Sequence, residues 1–392
     1  MPDSDDSPLF FIVAGEPSGD LIGARIMASL GEATGGKARF AGIGGENMAA
    51  LGLQSLVPLS DLAVMGFFEV LPRIPRILGH LKRTIAEIER LRPVAVITID
   101  SWGFTGRLVK GLKERGSIIP RIHAVAPMVW AWKEKRAKTL AERLDLLLVL
   151  LPNEPPYFER HGLKTIHIGH PVLEGGADKG DGVAFRLRHS ITSDVQLLAV
   201  LPGSRRSETS RLLPIFGKTV ALLAALFPDL RVVVPTVDTV AEEVLASVSS
   251  WSVPTLVVRG AKEKFDAFAA ANAALAASGT VALELAMAQT PHAIAYRVHP
   301  LTAFLARRLL KIRHVNLVNI LLAREAVPEL LQENCQADLL ADRMAELLGD
   351  EAVRNAQRAA FCEALAKLGQ GGPSPGERAA AAILSLVKEK SS

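Results

Sequence analysis

Short runs of consecutive apolar residues alternate with helix-periodic stretches along most of this 392-residue chain, and that alternation constrains its fold more than any other feature. In the first part the runs fall at residues 9–14, 39–43, 94–99, 121–125, 146–151 and 165–168. In the second they fall at 197–201, 231–234, 255–258, 273–277 and 292–295. A strand that is apolar at nearly every position has no face for water. It must be covered on both sides, as parallel strands are. Between the runs lie helical patterns such as Leu81, Ile85, Ile88 and Leu91, stopped by Pro93. A Gly- and Asp-rich stretch, 174–182, divides the two sets. The expected fold is α/β, with two tandem Rossmann-like domains at 1–173 and 174–355. The helices of 356–392 complete it, the final one free to cross back onto the first domain. Ligands in such sheets bind beyond the carboxyl ends of the strands, so a cleft between the domains is the expected site.

Composition narrows the function classes. The two cysteines, Cys335 and Cys362, fit neither a metal-ligand spacing nor a disulfide framework, which predicts a reducing compartment. Acidic Asp3, Asp5 and Asp6 precede the first apolar run, so no signal peptide is read. No stretch reads as a membrane span; the nearest, 268–288, is broken by Asn272, the Ser278-Gly279-Thr280 turn and Glu284. A net charge of +4 with 5% aromatic residues argues against nucleic acid as a partner. Two basic segments also carry apolar faces. One holds Phe67, Phe68 and Leu71 ahead of Arg73 and Arg76; the other sets Leu301 and Phe304 on one helical face with Arg307 and Arg308 off it. Such faces suit an anionic membrane interface or acyl chains, although a helix buried against its own domain shows the same pattern.

Five segments could carry chemistry. Gly15-Glu16-Pro17-Ser18-Gly19-Asp20 follows the first strand. It is not the dinucleotide fingerprint, and it reads either as an anion-binding helix start or as an ordinary turn capped by Ser18 or Asp20. Asp100 closes the third apolar run, where it serves as a general base or caps the next helix. Trp130 and Trp132 lie close together in residues 125–133, as in sugar or acyl sites but also in cores. Gly203, Ser204 and Arg205 form the turn after the run at 197–201. There glycine permits close approach and arginine grips a diphosphate in bidentate fashion. Ser278, Gly279 and Thr280 make a similar turn, with Glu284 one helical turn on and able to reach a ribose diol. A solvated loop and a helix start favoured by an acid are the plainer accounts of the last two.

The order of these segments resembles lipid-A-disaccharide synthase, a family of glycosyltransferases with the two-Rossmann-domain GT-B fold. The resemblance spans residues 9–333 and rests on AGEPSGD at 14–20, LAVMGFFEVL at 62–71, VWAWKEKR at 129–136, LPGSR at 201–205, ASGTVALE at 277–284 and the segment 319–332. It implies an inverting enzyme that joins UDP-2,3-diacylglucosamine to 2,3-diacylglucosamine 1-phosphate (lipid X), releasing UDP. It further implies a peripheral protein on the cytoplasmic face of the inner membrane, with no cofactor and no metal. Gly203, Ser204, Arg205, Ser278, Gly279, Thr280 and Glu284 would bind UDP. Asp100 or Glu16 would be the base, and Ser18, Asp20, Trp130 and Asn319 would lie by the acceptor or the cleft. Phe67, Phe68, Leu71, Leu301, Phe304, Arg307 and Arg308 would meet membrane or acyl chains. Two departures stand out. Trp102 replaces the family's proline, and Gly103 stands where a second acid often occurs, so a role for that acid does not carry over. Residues 316–319 keep the leucine and the last asparagine of the family's Ser-Leu-Pro-Asn, with Asn316 and Val318 in place of the serine and the proline. The rival expectations are another enzyme on the same fold, an epimerase or the peptidoglycan glucosaminyltransferase, and a UDP-sugar or lipid binder without catalysis. Oligomeric state stays open.

Overall fold

The computed structural model describes residues 7–62, 74–129, 135–277, 279–298 and 313–391, which divide into two compact units. The first comprises Met1–Pro171 and Gly371–Ser392, the second Val172–Gln370.

The first unit carries a parallel sheet of β1 (Leu9–Ala14), β2 (Arg39–Ile43), β3 (Ala95–Ile99), β4 (Arg121–Ala124), β5 (Leu146–Val149) and β6 (Thr165–His167), in the order β2-β1-β3-β4-β5-β6. In β1 successive side chains alternate between two cores. Phe10, Ile12 and Ala14 pack with Ile26, Met27 and Leu30 of α1 (Pro17–Ala33). Phe11 and Val13 pack with Ile85 and Ile88 of α2 (Ile74–Leu91), and with Phe104, Leu108 and Leu112 of α3 (Trp102–Glu114). Helices on both faces are the reason β1 has no polar position.

In the second unit β7 (Leu197–Leu201), β8 (Arg231–Thr236), β9 (Thr255–Arg259), β10 (Ala273–Ala277), β11 (His292–Tyr296) and β12 (Glu329–Leu331) form a parallel sheet in the order β12-β11-β10-β7-β8-β9. Leu198 and Val200 pack against Leu212, Phe216 and Val220 of α4 (Arg206–Leu226). Leu197, Ala199 and Leu201 face Ala267 and Phe268 of α5 (Ala261–Ala270) and Leu285 of α6 (Val281–Met287). The helix α7 (Glu351–Leu368) belongs to this unit, beyond the boundary at residue 355 expected from sequence. Only the last helix, α8 (Pro375–Ser391), returns to the first unit, where it packs on α1.

Candidate active site

Each sheet has one place where the chain reverses its direction of growth. In the first unit it lies between β1 and β3, paired in register from Phe10↔Ala95 to Ala14↔Ile99. Loops leaving the two strands there diverge to opposite faces and open a crevice. Glu16 and Asp100 sit at those two strand ends. Glu16 is extended (φ −147°, ψ 160°) at the cap position of α1, with Pro17 starting the helix. Its carboxylate does not cap α1; its Oε1 accepts from the Ser101 hydroxyl at 3.1 Å. The Ser101 backbone N–H donates to Asp100 Oδ1 at 2.7 Å. One serine thus ties both acids. Asp100 and Ser101 are consecutive left-handed residues, with φ of 50° and 44°, a conformation that costs a non-glycine residue energy. The turn is pinned by Asp100 N–H donating to the Ala124 carbonyl at 3.0 Å and by the Thr105 hydroxyl donating to the Asp100 carbonyl at 2.8 Å. Gly15 makes room for it, since a Cβ there would lie 2.4 Å from that of Ser101. Burial pushes the Asp100 carboxyl above the usual carboxylate range; its own Ser101 N–H opposes this, and the nearby Glu16 charge adds to it.

Behind this turn His123 is wholly buried on β4. Its Nδ1 meets the Thr98 hydroxyl at 2.8 Å, and that hydroxyl also donates to the Ile122 carbonyl. Burial holds the imidazole down to about 3, so it is neutral, and its ring lies edge-on to Trp102 at 4.9 Å. Trp102, the residue in place of the family's proline, therefore has a built seat of its own.

In the second unit the reversal lies between β7 and β10. A cavity of about 360 Å³ opens there, lined by Gly203, Ser204, Arg205 and Glu208 after β7, Thr236 and Val237 after β8, and Gly279, Thr280 and Glu284 after β10. Gly203 has φ 109°, and a Cβ on it would strike Glu208 at 2.5–2.7 Å. Glu208 accepts from the Ser204 N–H at 3.1 Å and from Arg205 Nη1 at 3.3 Å, fixing the turn around the glycine. Glu284 accepts from Lys264 Nζ through both oxygens, at 3.0 and 2.9 Å. Six of the seven residues expected to hold a nucleotide thus share one cavity; Ser278 lies outside the described residues. His123 and Lys264 were missed from the sequence, because each is placed by a fold contact that no local motif announces; Ser101 and Glu208 stand inside the segments singled out, but their ties to Glu16 and to the Gly203 turn show only in the fold.

Two of the residues expected by the acceptor or the cleft are engaged in closing loops. Asp20 is buried, and its two oxygens take four donors: the N–H groups of Gly45, Asn47 and Met48 and the Asn47 amide, at 2.7–3.2 Å. It holds the loop after β2, with nothing left for an acceptor. Asn319 is also buried; its amide donates to the Val327 carbonyl and Glu329, and its oxygen accepts from Ala326 and Val327 N–H. It closes the loop before β12 through these contacts. Ser18 lies exposed on the first turn of α1. Trp130, Phe67, Phe68, Leu71, Leu301, Phe304, Arg307 and Arg308 lie outside the described residues.

The model of the lipid-A-disaccharide synthetase family matches residues 10–383, across both units. The chain belongs to that family. It is 60% identical over 383 residues to the lipid-A-disaccharide synthase of Paramagnetospirillum magneticum, covering 97% of this chain and 98% of the relative. It is 52% identical to that of Rhodospirillum centenum, covering 97% and 95%. The fold is GT-B: a UDP-GlcNAc 2-epimerase structure from Neisseria meningitidis, bound to UDP-GlcNAc, superposes with a TM-score of 0.62 at 11% identity, covering 97% of this chain and 99% of that one. As a lipid-A-disaccharide synthase family member the chain is a glycosyltransferase that forms the lipid A disaccharide, which sets aside both the epimerase and the non-catalytic binder.

Proposed function

We propose that the chain joins UDP-2,3-diacylglucosamine to 2,3-diacylglucosamine 1-phosphate by a single inverting displacement, with Asp100 as base. The observation that carries this reading is the Glu16–Ser101–Asp100 turn, held in left-handed backbone at the switch point of the first sheet. The acceptor's 6-hydroxyl attacks C1 of the donor sugar. Its proton passes to Asp100, the bond from C1 to the diphosphate oxygen breaks, and the electron pair leaves with UDP. Burial raises the affinity of the Asp100 carboxylate for a proton, and Glu16 is engaged with the Ser101 hydroxyl. On the donor side, Arg205 and the amides of the Gly203 and Gly279 turns stabilise the charge that grows on the leaving diphosphate. Glu284 takes the ribose diol.

Asp100→Asn should retain UDP binding and lose about 10²–10⁴-fold in turnover, followed by mass spectrometry of the disaccharide formed from the two purified lipids. Near-normal turnover in that variant, with Glu16→Gln inactive, moves the base to Glu16. Full activity in both rejects the scheme. Peripheral attachment to the cytoplasmic face of the inner membrane is part of the same proposal, supported by the apolar and basic residues of 65–78 and 301–312. Replacing Phe67, Phe68 and Leu71 with serine should release the protein from sedimenting anionic vesicles, and unaltered sedimentation rejects that role.

A further inference from the structure

The nucleotide cavity of the second unit carries carboxylates where an anionic ligand is to be bound. Glu208 and Glu284 both line it, alongside only two cationic side chains among the described residues, Arg205 and Lys264. Each cation is paired with one acid, Arg205 with Glu208 at 3.3 Å and Lys264 with Glu284 at 2.9 Å. The two pairs differ in form. Arg205 is mostly exposed and touches its partner through one nitrogen three residues away on the same turn. Lys264 reaches from α5 to α6, twenty residues on, and its ammonium bridges both oxygens of Glu284. The same ammonium lies 4.7 Å from the centre of the Phe265 ring, whose face favours a cation. Lys264 is therefore held on two sides, and it holds Glu284 in turn.

We infer that Lys264 is a positioning residue for nucleotide recognition: it fixes the Glu284 carboxylate for a ribose diol and cancels its charge towards the diphosphate. This rests on the reading of the cavity as the UDP site. Lys264 bridges the two oxygens on the side they share, which leaves each oxygen its outward lone pair, open to a ribose hydroxyl. An acid suits a diol but repels phosphate in the same small cavity. A lysine that bridges both oxygens removes that conflict and leaves the outward lone pairs to the ribose. No local motif marks the residue, since it stands in the helix before the Gly279-Thr280 turn and not in the turn.

The test is calorimetric titration of UDP, and of 2′-deoxy-UDP, into the full chain and three variants. Lys264→Met should weaken UDP about ten- to a hundredfold, because Glu284 is left unpaired beside the ligand. It should also narrow the preference for UDP over 2′-deoxy-UDP. The double variant Lys264→Met with Glu284→Gln should bind UDP more tightly than Lys264→Met alone, since the unpaired charge is gone. A role confined to folding predicts no such recovery. The single variant Glu284→Gln completes the cycle and should lose the ribose preference while keeping most of the diphosphate affinity. Unchanged UDP binding in Lys264→Met, or a double variant no tighter than it, overturns the inference. Failure of the unaltered chain to bind UDP would sink the reading of the cavity instead.

Discussion

At the scale of single residues, the first unit stores cost where chemistry is expected. Asp100 is a half-buried acid in left-handed backbone, followed by a second left-handed residue and facing another carboxylate. None of this favours folding, and each feature favours a base that is ready to take a proton. A stability test follows from the sign of the shift. The Asp100 carboxyl is raised above its unfolded value of about 3.9. Its favourable contribution to folding is therefore complete below that value and is lost as pH rises through the folded value. At neutral pH the ionised group works against the fold. Asp100→Asn keeps an acceptor for the Ser101 N–H and a side chain that tolerates left-handed backbone, but carries no charge. It should raise the melting temperature at about pH 7, and the gain should shrink as pH falls towards about 4. A gain of the same size at both pH values, or none at pH 7, would show that charge burial is not what strains the site. A variant that is at once more stable and nearly inactive is the expected signature of this turn.

At the scale of elements, the strands were legible because burial on both faces leaves a mark in the sequence: Leu197–Leu201 and Ala273–Ala277 have no polar residue. The turns that follow were legible because Gly203 and Gly279 stand next to strand ends, at φ values few other residues adopt. Loop closure left no such mark. Asp20 and Asn319 sit inside family motifs and look like site residues in the sequence. In space each is engaged by a neighbouring loop: Asp20 by the backbone N–H groups of Gly45, Asn47 and Met48 and the Asn47 side-chain amide, Asn319 by the N–H groups of Ala326 and Val327, the Val327 carbonyl and Glu329. A motif can persist for such closure as well as for catalysis, and one sequence does not separate the two. The helix α4 also shows how burial decides what an apolar segment does. Taken alone, Arg206–Leu226 is long and apolar enough to cross a membrane. Yet Leu212, Leu213, Phe216, Val220 and Leu223 are buried against the second sheet, and Pro214 lies within the helix. Its apolar residues serve the core. Pairs made between helices, such as Lys264 with Glu284 from α5 to α6, were beyond reach because the lysine gains its meaning only when the two helices are side by side.

At the scale of the whole molecule, the order of the chain and the order of folding units differ. The first unit is built from Met1–Pro171 and Gly371–Ser392, so the chain leaves it, completes the second unit and comes back. The returning helix α8 sets Ala379, Ala380, Ile383 and Leu386 into the same core as Phe10, Ile12, Ile26, Met27 and Leu30. Charged contacts add little: the pairs Lys164–Glu389 and Lys390–Asp145 lie at the surface, where screening leaves such pairs weak. The apolar contribution is larger, since burying one leucine and one isoleucine is worth roughly 3–6 kcal/mol. That is comparable with the entire stability of many domains, about 5–15 kcal/mol. Deleting residues 371–392 should therefore unfold the first unit or lower its transition steeply, and leave the second unit intact. The two are separable by calorimetry with UDP present, because a ligand raises only the transition of the unit that binds it. The truncated chain should keep a UDP-dependent transition and lose the other, along with all transferase activity. Supplying residues 371–392 as a separate peptide should restore the lost transition in part. A truncated chain with both transitions unchanged would show that α8 covers a core which stands without it.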